Sequence, residues 1–160
     1  MANQPGFSNP RVDFGIVVSD IAKSAAFYTA IGFKEVGGFD VPAEMGEKSG
    51  LTAANKPFSV RIFQLGDGEA ATNVKVMQFA GCSPARPDNS TIHAGLGIRY
   101  LTLYVDDMDV AVARAQKAGI FPMAQGPYKL PAGFPDGVWL TCVQDPDGNI
   151  IEFVGPKNQA

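Results

Sequence analysis

Residues 16–33 read IVVSDIAKSAAFYTAIGF, and residues 103–120 repeat the same plan as LYVDDMDVAVARAQKAGI. Each stretch opens with β-branched or aromatic residues that are typical of a strand. An aspartate suited to cap a helix follows, Asp20 in the first stretch and Asp107 in the second. A glycine suited to end the helix comes twelve residues after each aspartate, at Gly32 and Gly119. A repeat of this length predicts two related modules.

Further strand-like segments follow each predicted helix. Alternating apolar residues indicate strands at 58–65 and 73–80 in the first half, preceded by a weak strand and a long loop within 37–57. In the second half, the strand predictions are 120–123, 138–144 and 149–154, with a Pro- and Gly-rich loop over 125–137. The predicted order is therefore βαβββ, twice.

These elements predict an α+β fold made of two tandem βαβββ modules. The first module spans residues 11–80, and the second spans residues 97–155. Residues 81–96 are rich in Gly, Pro, Ser and Asn, which is typical of a linker. At 160 residues, both modules fit within a single domain.

Composition excludes several classes of protein. The net charge of −3 argues against nucleic acid or an anionic membrane as the main partner, and no apolar run is long enough to cross a bilayer. The opening MANQPGFSNP lacks the features of a signal peptide, and two cysteines are too few for a disulfide scaffold, so we expect a reduced, cytoplasmic protein. The single histidine, His93, excludes sites built on two histidines within one chain, including those of two-His-one-carboxylate iron dioxygenases.

Three motifs carry a family resemblance: VVSDIAKSAAFYTAIGF in the first module, and YLTLYVDDMDVAVARAQKAGI and DPDGNIIEFV in the second. With them, the chain resembles the vicinal oxygen chelate superfamily, which includes glyoxalases, bleomycin-resistance proteins and extradiol dioxygenases. The resemblance implies an open, curled mixed sheet around a cavity between the modules. It also implies a homodimer and a divalent metal held by four side chains in that cavity.

The resemblance places those four positions by their distance from motifs. The first-strand position lies seven residues before each capping aspartate, which gives Asp13 and Tyr100. The last-strand position falls on Glu152 in NIIEFV and, when that strand is matched to KVMQFA, on Gln78. The family most often has His or Gln and His at the two first-strand positions, and Glu or Gln and Glu on the last strands. This sequence keeps Gln78 and Glu152 and replaces both first-strand ligands.

Three interpretations of these residues remain open at the level of sequence. In the first, Asp13, Gln78, Tyr100 and Glu152 bind a metal through oxygen, which suits Mg²⁺ or Mn²⁺, although the cofactor is unknown. In the second, no metal binds, and Asp13 and Glu152 act as an acid/base pair or orient a polar ligand. In the third, Asp13 pairs with Arg11 or Arg99, and Tyr100 is a core aromatic residue.

Strand alternation sends Tyr100, Thr102 and Tyr104 to one face, where they are candidates to bind substrate. Trp139, close to the Pro-rich loop, is a further candidate as part of a pocket wall. His93 lies in the linker and is expected to be either a solvent-exposed residue or a replacement ligand at the pocket mouth.

The sequence therefore predicts a glyoxalase- or bleomycin-resistance-like protein that binds a small molecule in the cavity, with the usual histidine ligands replaced. The alternative is a divalent-metal-dependent isomerase or lyase in which Glu152 is the catalytic base or a ligand. A third class, a subunit interaction module, would have a blocked cavity and an apolar outer patch. Expected partners are a small molecule and a second copy of the chain.

Overall fold

The computed structural model describes residues 11–53, 56–68 and 70–157, and the elements within them follow the predicted repeat. The first module contains β1 (Phe14–Val17), α1 (Ile21–Ala30), β2 (Lys34–Val41), α2 (Ala43–Lys48), β3 (Phe58–Gln64) and β4 (Asn73–Phe79). The second contains β5 (Tyr100–Tyr104), α3 (Met108–Lys117), β6 (Tyr128–Lys129), β7 (Val138–Gln144) and β8 (Ile150–Pro156). A short 3₁₀ turn, Ile92–Ala94, precedes β5.

Both predicted helix caps are present. The Asp20 carboxylate accepts hydrogen bonds from the backbone N–H groups of Ala22 and Lys23, each at 3.0 Å. Asp107 caps α3 in the same way through the backbone of Asp109 and Val110, at 2.9 and 3.2 Å. These bonds satisfy amides that the first helical turn leaves without partners, which is why each helix begins directly after its aspartate.

Each module forms its own four-stranded mixed sheet. The strand order is β1-β4-β3-β2 in the first sheet and β5-β8-β7-β6 in the second. In both, the first and last strands of the module are parallel neighbours, and the other pairs are antiparallel. The described residues divide into two compact units between Pro84 and Ala85. The prediction of an α+β fold with tandem βαβββ modules and open sheets is confirmed.

Two local predictions are wrong. The long segment after β2 contains α2, which was expected to be a loop; Pro42 is its extended N-cap residue, and the Pro42 carbonyl accepts the first helical hydrogen bond, from the N–H of Gly46 at 3.1 Å. The strand predicted at 120–123 is absent. Ile120 donates its N–H to the Ala115 carbonyl to close α3, and Pro122 has no N–H to offer a sheet. Residues Tyr128–Lys129 pair with β7 instead.

Each sheet has one face covered by its long helix. In the first module, Tyr28 of α1 is fully buried and its ring lies 6.1 Å from that of Phe63 on β3. In the second, Met108 and Ala115 of α3 are fully buried, as are Ile151 and Phe153 on alternate positions of β8. The opposite face of each sheet is called its distal face below. None of the helices in the described ranges is long and apolar enough to span a membrane.

The strands of the second sheet approach one another too closely for a side chain at one position. An added Cβ at Gly155 of β8 would lie 2.0 Å from the carbonyl oxygen of Val105. Val105 in turn donates its N–H to the neighbouring carbonyl of Val154 at 2.9 Å. Glycine at this position therefore lets the chain leaving β5 stay hydrogen-bonded to β8.

Candidate functional site

The distal face of the second sheet brings together four of the predicted site residues. Tyr100, Thr102 and Tyr104 are alternate residues of β5, and the parallel register places Thr102 directly opposite Glu152 on β8. The intervening residues of β8, Ile151 and Phe153, belong to the face covered by α3. This part of the predicted site therefore lies on one surface.

Glu152 is held by a single hydrogen bond among the described residues. The Thr102 hydroxyl donates to Glu152 Oε2 at 2.7 Å. The two tyrosines on either side of Thr102 along β5 are accessible, with Tyr100 44% and Tyr104 82% exposed. The third interpretation expected Tyr100 in the core, and its exposure contradicts that. An oriented carboxylate between accessible phenol groups can bind a polar or aromatic ligand.

Cys142 on β7 lies opposite Glu152 on the same face. Burial raises the pKa of the Cys142 thiol, and the negative charge of Glu152 raises it further. Because the thiolate is the reactive form, both effects lower the reactivity of this cysteine at neutral pH.

Trp139 does not share this face. It pairs with Gly155 and alternates with Cys142 and Leu140, which places it on the side covered by α3. The Lys157 ammonium lies 5.1 Å from the centre of its ring, and the same ammonium pairs with Asp109 of α3 at 3.3 Å. The structure therefore separates Trp139 from the tyrosines with which it was grouped.

Asp13 lies at the start of β1 in a dense set of donors. Arg11 Nε is 3.2 Å from its carboxylate and Lys75 Nζ is 3.1 Å away. The backbone and side-chain amides of Asn73 also donate to it, at 3.3 and 3.4 Å. Burial by itself would raise the pKa of Asp13, but the hydrogen bonds from Lys75 and Asn73 and the charge of Lys75 outweigh burial, so the pKa lies below its usual value. The carboxylate is thus ionised and fully engaged.

Of the two arginines expected as partners of Asp13, it is Arg11 that binds it. Arg99 instead holds the linker, donating to the carbonyl oxygens of Asp88, Thr91 and Ile92 at 2.6 to 3.2 Å. His93 lies in the turn that these bonds support and is exposed. The alternative, that His93 replaces a missing metal ligand at the pocket mouth, stays a prediction.

Gln78 forms hydrogen bonds at the start of α1 and does not lie on the distal face. Its Oε1 accepts from the backbone N–H of Ile21 at 3.0 Å, and its Nε2 donates to the carbonyl of Ser19 at 3.1 Å. Alternation along β4 puts Gln78 on the side of Val76, which is fully buried on the face covered by α1. The first module therefore keeps Gln78 apart from Asp13.

The sheet register assigns the last-strand position to a different residue. Glu152 lies opposite Thr102, five residues before its capping aspartate. The residue five before Asp20 is Gly15, and it lies opposite Lys75. The counterpart of Glu152 in the first module is therefore Lys75. The sequence does not carry this pairing register, which is why a match of NIIEFV to KVMQFA by residue type missed Lys75.

A cleft of about 390 Å³ lies in the first module at the ends of β1 and β4. It is lined by residues that include Ser19, Gln78 and Cys82. The predictions from sequence did not include this cleft, because it is formed by the start of the predicted linker.

Comparison with known proteins identifies the family. Residues 13–135 match the Glyoxalase/Bleomycin resistance protein/Dioxygenase superfamily. The chain belongs to this superfamily. The resemblance stated from the three sequence motifs is therefore confirmed. A search of curated proteins finds no match.

Solved structures of the glyoxalase superfamily share the fold. The chain is similar to a glyoxalase family protein from Bacillus cereus, with a TM-score of 0.74 and 18% identity over 98% of this chain and 100% of that one. It is also similar to a glyoxalase/dioxygenase from Nostoc punctiforme, with a TM-score of 0.64 and 22% identity over 99% and 98%. A glyoxalase I mutant from Zea mays matches 92% of this chain and 45% of its own, at 17% identity and a TM-score of 0.67. At these identities the likeness concerns the fold alone.

The metal that the glyoxalase superfamily implies does not fit the donors of the first module. The Asp13 carboxylate is already paired with two cations, and the oxygen of Gln78 accepts from the helix backbone. The position equivalent to Glu152 carries the Lys75 ammonium, which would repel a divalent ion. Within the described ranges, no group of three or more His, Cys, Asp or Glu side chains is arranged to hold a metal. The cavity that the family resemblance implies stays a prediction.

Proposed function

We propose that this member of the superfamily binds a small, partly aromatic molecule and does so without a metal ion. The observation that carries the proposal is the pairing of Asp13 with Lys75 at 3.1 Å. It neutralises the one carboxylate among the first module's predicted ligands and places a cation where the family's metal ligand would stand. Binding without a metal needs only a shaped surface with a few placed polar groups.

The distal face of the second sheet supplies suitable polar and aromatic groups. Tyr100 and Tyr104 present accessible rings that can stack on a flat ligand. The Thr102–Glu152 pair lies between them, and Glu152 has one carboxylate oxygen with no hydrogen bond among the described residues. That oxygen can accept a hydroxyl or amine of a ligand.

The distal face of the first sheet supplies an apolar surface. Ile62, Met77 and Phe79 are partly buried there, packed against a buried cluster that includes Phe58 and Val60. The Phe58 and Phe79 rings stack with centres 4.5 Å apart. An apolar surface of this kind favours an aromatic or aliphatic ligand body.

Metal-dependent isomerase or lyase chemistry with Glu152 as base or ligand is the competing function. It has one point in its favour, since Glu152 is oriented by Thr102 and otherwise available. It lacks a supporting donor set in the first module, where Asp13 and Gln78 are both occupied. The two functions make opposite predictions about metal content.

The test combines metal analysis with binding of a neutral aromatic probe. Purified protein is assayed for divalent metals by mass spectrometry, and N-phenylnaphthylamine is titrated by fluorescence with and without a chelator. We expect substoichiometric metal, saturable binding and no effect of the chelator. Replacing Tyr100 with alanine is expected to weaken binding about three- to tenfold, because aromatic contacts contribute about 0.5–1.5 kcal/mol beyond buried area.

Phe121→Ala is the matched control, since Phe121 is 65% exposed and lies outside both sheets. It is expected to leave the affinity unchanged. A stoichiometric divalent ion that is lost in Glu152→Gln but kept in Glu47→Gln, an exposed position on α2, would favour the enzyme instead.

The proposal also includes a homodimer and a cytoplasmic location. Both cysteines of the described residues, Cys82 and Cys142, are free thiols, which is the usual state in a reducing compartment. Light scattering of the purified chain tests the dimer, and fractionation of expressing cells tests the location.

A further inference from the structure

We infer that Lys75 selects ligands that carry one negatively charged group next to an apolar body. The inference rests on the proposed small-molecule binding and names the chemical class of the ligand. It begins with the position of Lys75, which lies on the distal face of the first sheet, opposite Gly15 on one side and Ile62 on the other.

Lys75 and Ile62 carry the side chains of one row across the first sheet. The row of residues that crosses the sheet at this level is Gly15, Lys75, Ile62 and Gly37. A Cβ added at Gly37 would meet nothing within 4 Å, and one at Gly15 would come within 3 Å only of the mobile end of Met77, at 2.9 Å. Lys75 is therefore the one polar side chain in a row whose two edges lack side chains.

Lys75 shares its carboxylate partner with a second cation. Arg11 and Lys75 both pair with Asp13. Because the pKa of Asp13 lies below its usual value, the carboxylate of this cluster stays ionised at neutral pH. The carboxylate is divided between two cations, so the Lys75 ammonium is neutralised only in part and can attract an anion to the apolar surface.

The two cations of the cluster are accessible, whereas the carboxylate is not. The side chains of Lys75 and Arg11 are 40% and 36% exposed, and that of Asp13 is 15% exposed. An ammonium group has three donor hydrogens, and Asp13 is its one hydrogen-bonding partner among the described residues. Lys75 can therefore keep Asp13 and still donate to a carboxylate, sulfonate or phosphate.

The surface next to Lys75 is apolar. Ile62 lies beside it across β3, Met77 lies two residues further along β4, and Phe39 of β2 is 49% exposed in the next row. An anion that carries an aromatic or aliphatic body would place that body on these side chains while its charge meets Lys75.

The test compares two fluorescent probes that share an aromatic body and differ in charge. Anilinonaphthalene sulfonate carries one negative charge, and N-phenylnaphthylamine is neutral. Lys75→Met keeps an apolar stem without the charge and is expected to weaken sulfonate binding about tenfold while changing the neutral probe less than twofold. Lys75→Arg keeps the charge and is expected to retain binding of both probes.

Two further variants exclude a purely structural effect. Asp13→Asn removes the negative charge beside Lys75 and is expected to tighten sulfonate binding, a direction that loss of structure would not produce. Lys23→Met makes the same charge change on α1, where the side chain is 75% exposed, and is expected to change neither probe.

The outcomes separate the two proposals. If wild-type protein binds neither probe saturably, small-molecule binding itself is contradicted, and the role of Lys75 with it. If both probes bind wild-type protein and Lys75→Met weakens them equally or not at all, only the role of Lys75 is overturned.

Discussion

Lys75 and Glu152 occupy the same position in their two modules, each on the last strand and opposite the residue five places before the helix-capping aspartate. The two repeats thus carry opposite charges at one site of the fold. Glu152 is held by a threonine hydroxyl at 2.7 Å, and Lys75 by a carboxylate at 3.1 Å. The repeat has conserved the backbone while its chemistry at this position has diverged.

Gln78 is expected to matter for stability and not for ligand binding. Replacing it with alanine removes the bonds to Ile21 N and Ser19 O at the start of α1, and the expected loss is about 1–2 kcal/mol of the free energy of unfolding. Urea denaturation measures it. Gln64→Ala, which removes no hydrogen bond described here, serves as the control. If Gln78→Ala left stability unchanged but altered the metal content, the original prediction of Gln78 as a metal ligand would be supported.

The contribution of Asp13 to stability is expected to fall in acid. Its pKa in the folded protein lies below the ordinary value of 3.8, so the folded state binds this proton less readily than the unfolded chain does. The stabilisation is therefore complete above about pH 4 and is lost as the pH falls through the lower, folded value. Urea denaturation at pH 7 and at low pH gives the difference in the free energy of unfolding between wild type and Asp13→Asn.

That difference is expected to be larger at pH 7 than in acid. Asp67→Asn, at an exposed turn position, is the control and is expected to show a small difference that does not depend on pH. Equal destabilisation by Asp13→Asn at every pH would mean that its ionised form contributes nothing.

Cys142 is expected to react faster once the charge of Glu152 is removed. Burial remains in Glu152→Gln, so the pKa of the thiol falls only in part, and alkylation by iodoacetamide is expected to accelerate about two- to threefold at the same pH. The rate is followed by mass spectrometry in a Cys82→Ser background. The same rate in Glu152→Gln and in the control Glu47→Gln would rule out the charge as a cause.

Gly155 is expected to tolerate no side chain. In Gly155→Ala the new Cβ would meet the backbone oxygen of Val105 at 2.0 Å, and separating the strands is expected to cost more than about 3 kcal/mol. Gly15→Ala is the control, because its Cβ would meet only the movable Cε of Met77. The melting temperatures of the two variants, measured by thermal denaturation, should differ by well over ten degrees for a module of this size. Equal melting temperatures would contradict the close approach.

The sequence was sufficient to predict the two modules because the residues that start and end their helices act locally. A cap such as Asp20 and a stop such as Gly32 act through backbone groups within one helical turn, and both long helices begin and end where these residues predict. The predictions failed where pairing with a distant strand determines the local structure. Tyr128–Lys129 form a strand because β7 lies beside them, and one strand-favouring residue, Tyr128, within a Pro- and Gly-rich loop is too weak a signal to predict it.

The candidate site was predicted in part for the same reason. Tyr100, Thr102 and Tyr104 share a face by simple alternation, and their grouping with Glu152 follows from a correct match of the last strand. Gln78 was misplaced because a match by residue type moved the last strand of the first module by three positions relative to the register. An error of an odd number of residues also exchanges the two faces of a strand, which is why Gln78 proved to face the helix.

The pairing of Lys75 with Asp13 makes the two positions depend on each other. Lys75→Glu would place two carboxylates side by side, whereas Asp13→His would leave an imidazole facing the ammonium. Because a change at either residue leaves the other without its partner, the effects of changing both are not expected to be the sum of the two single effects.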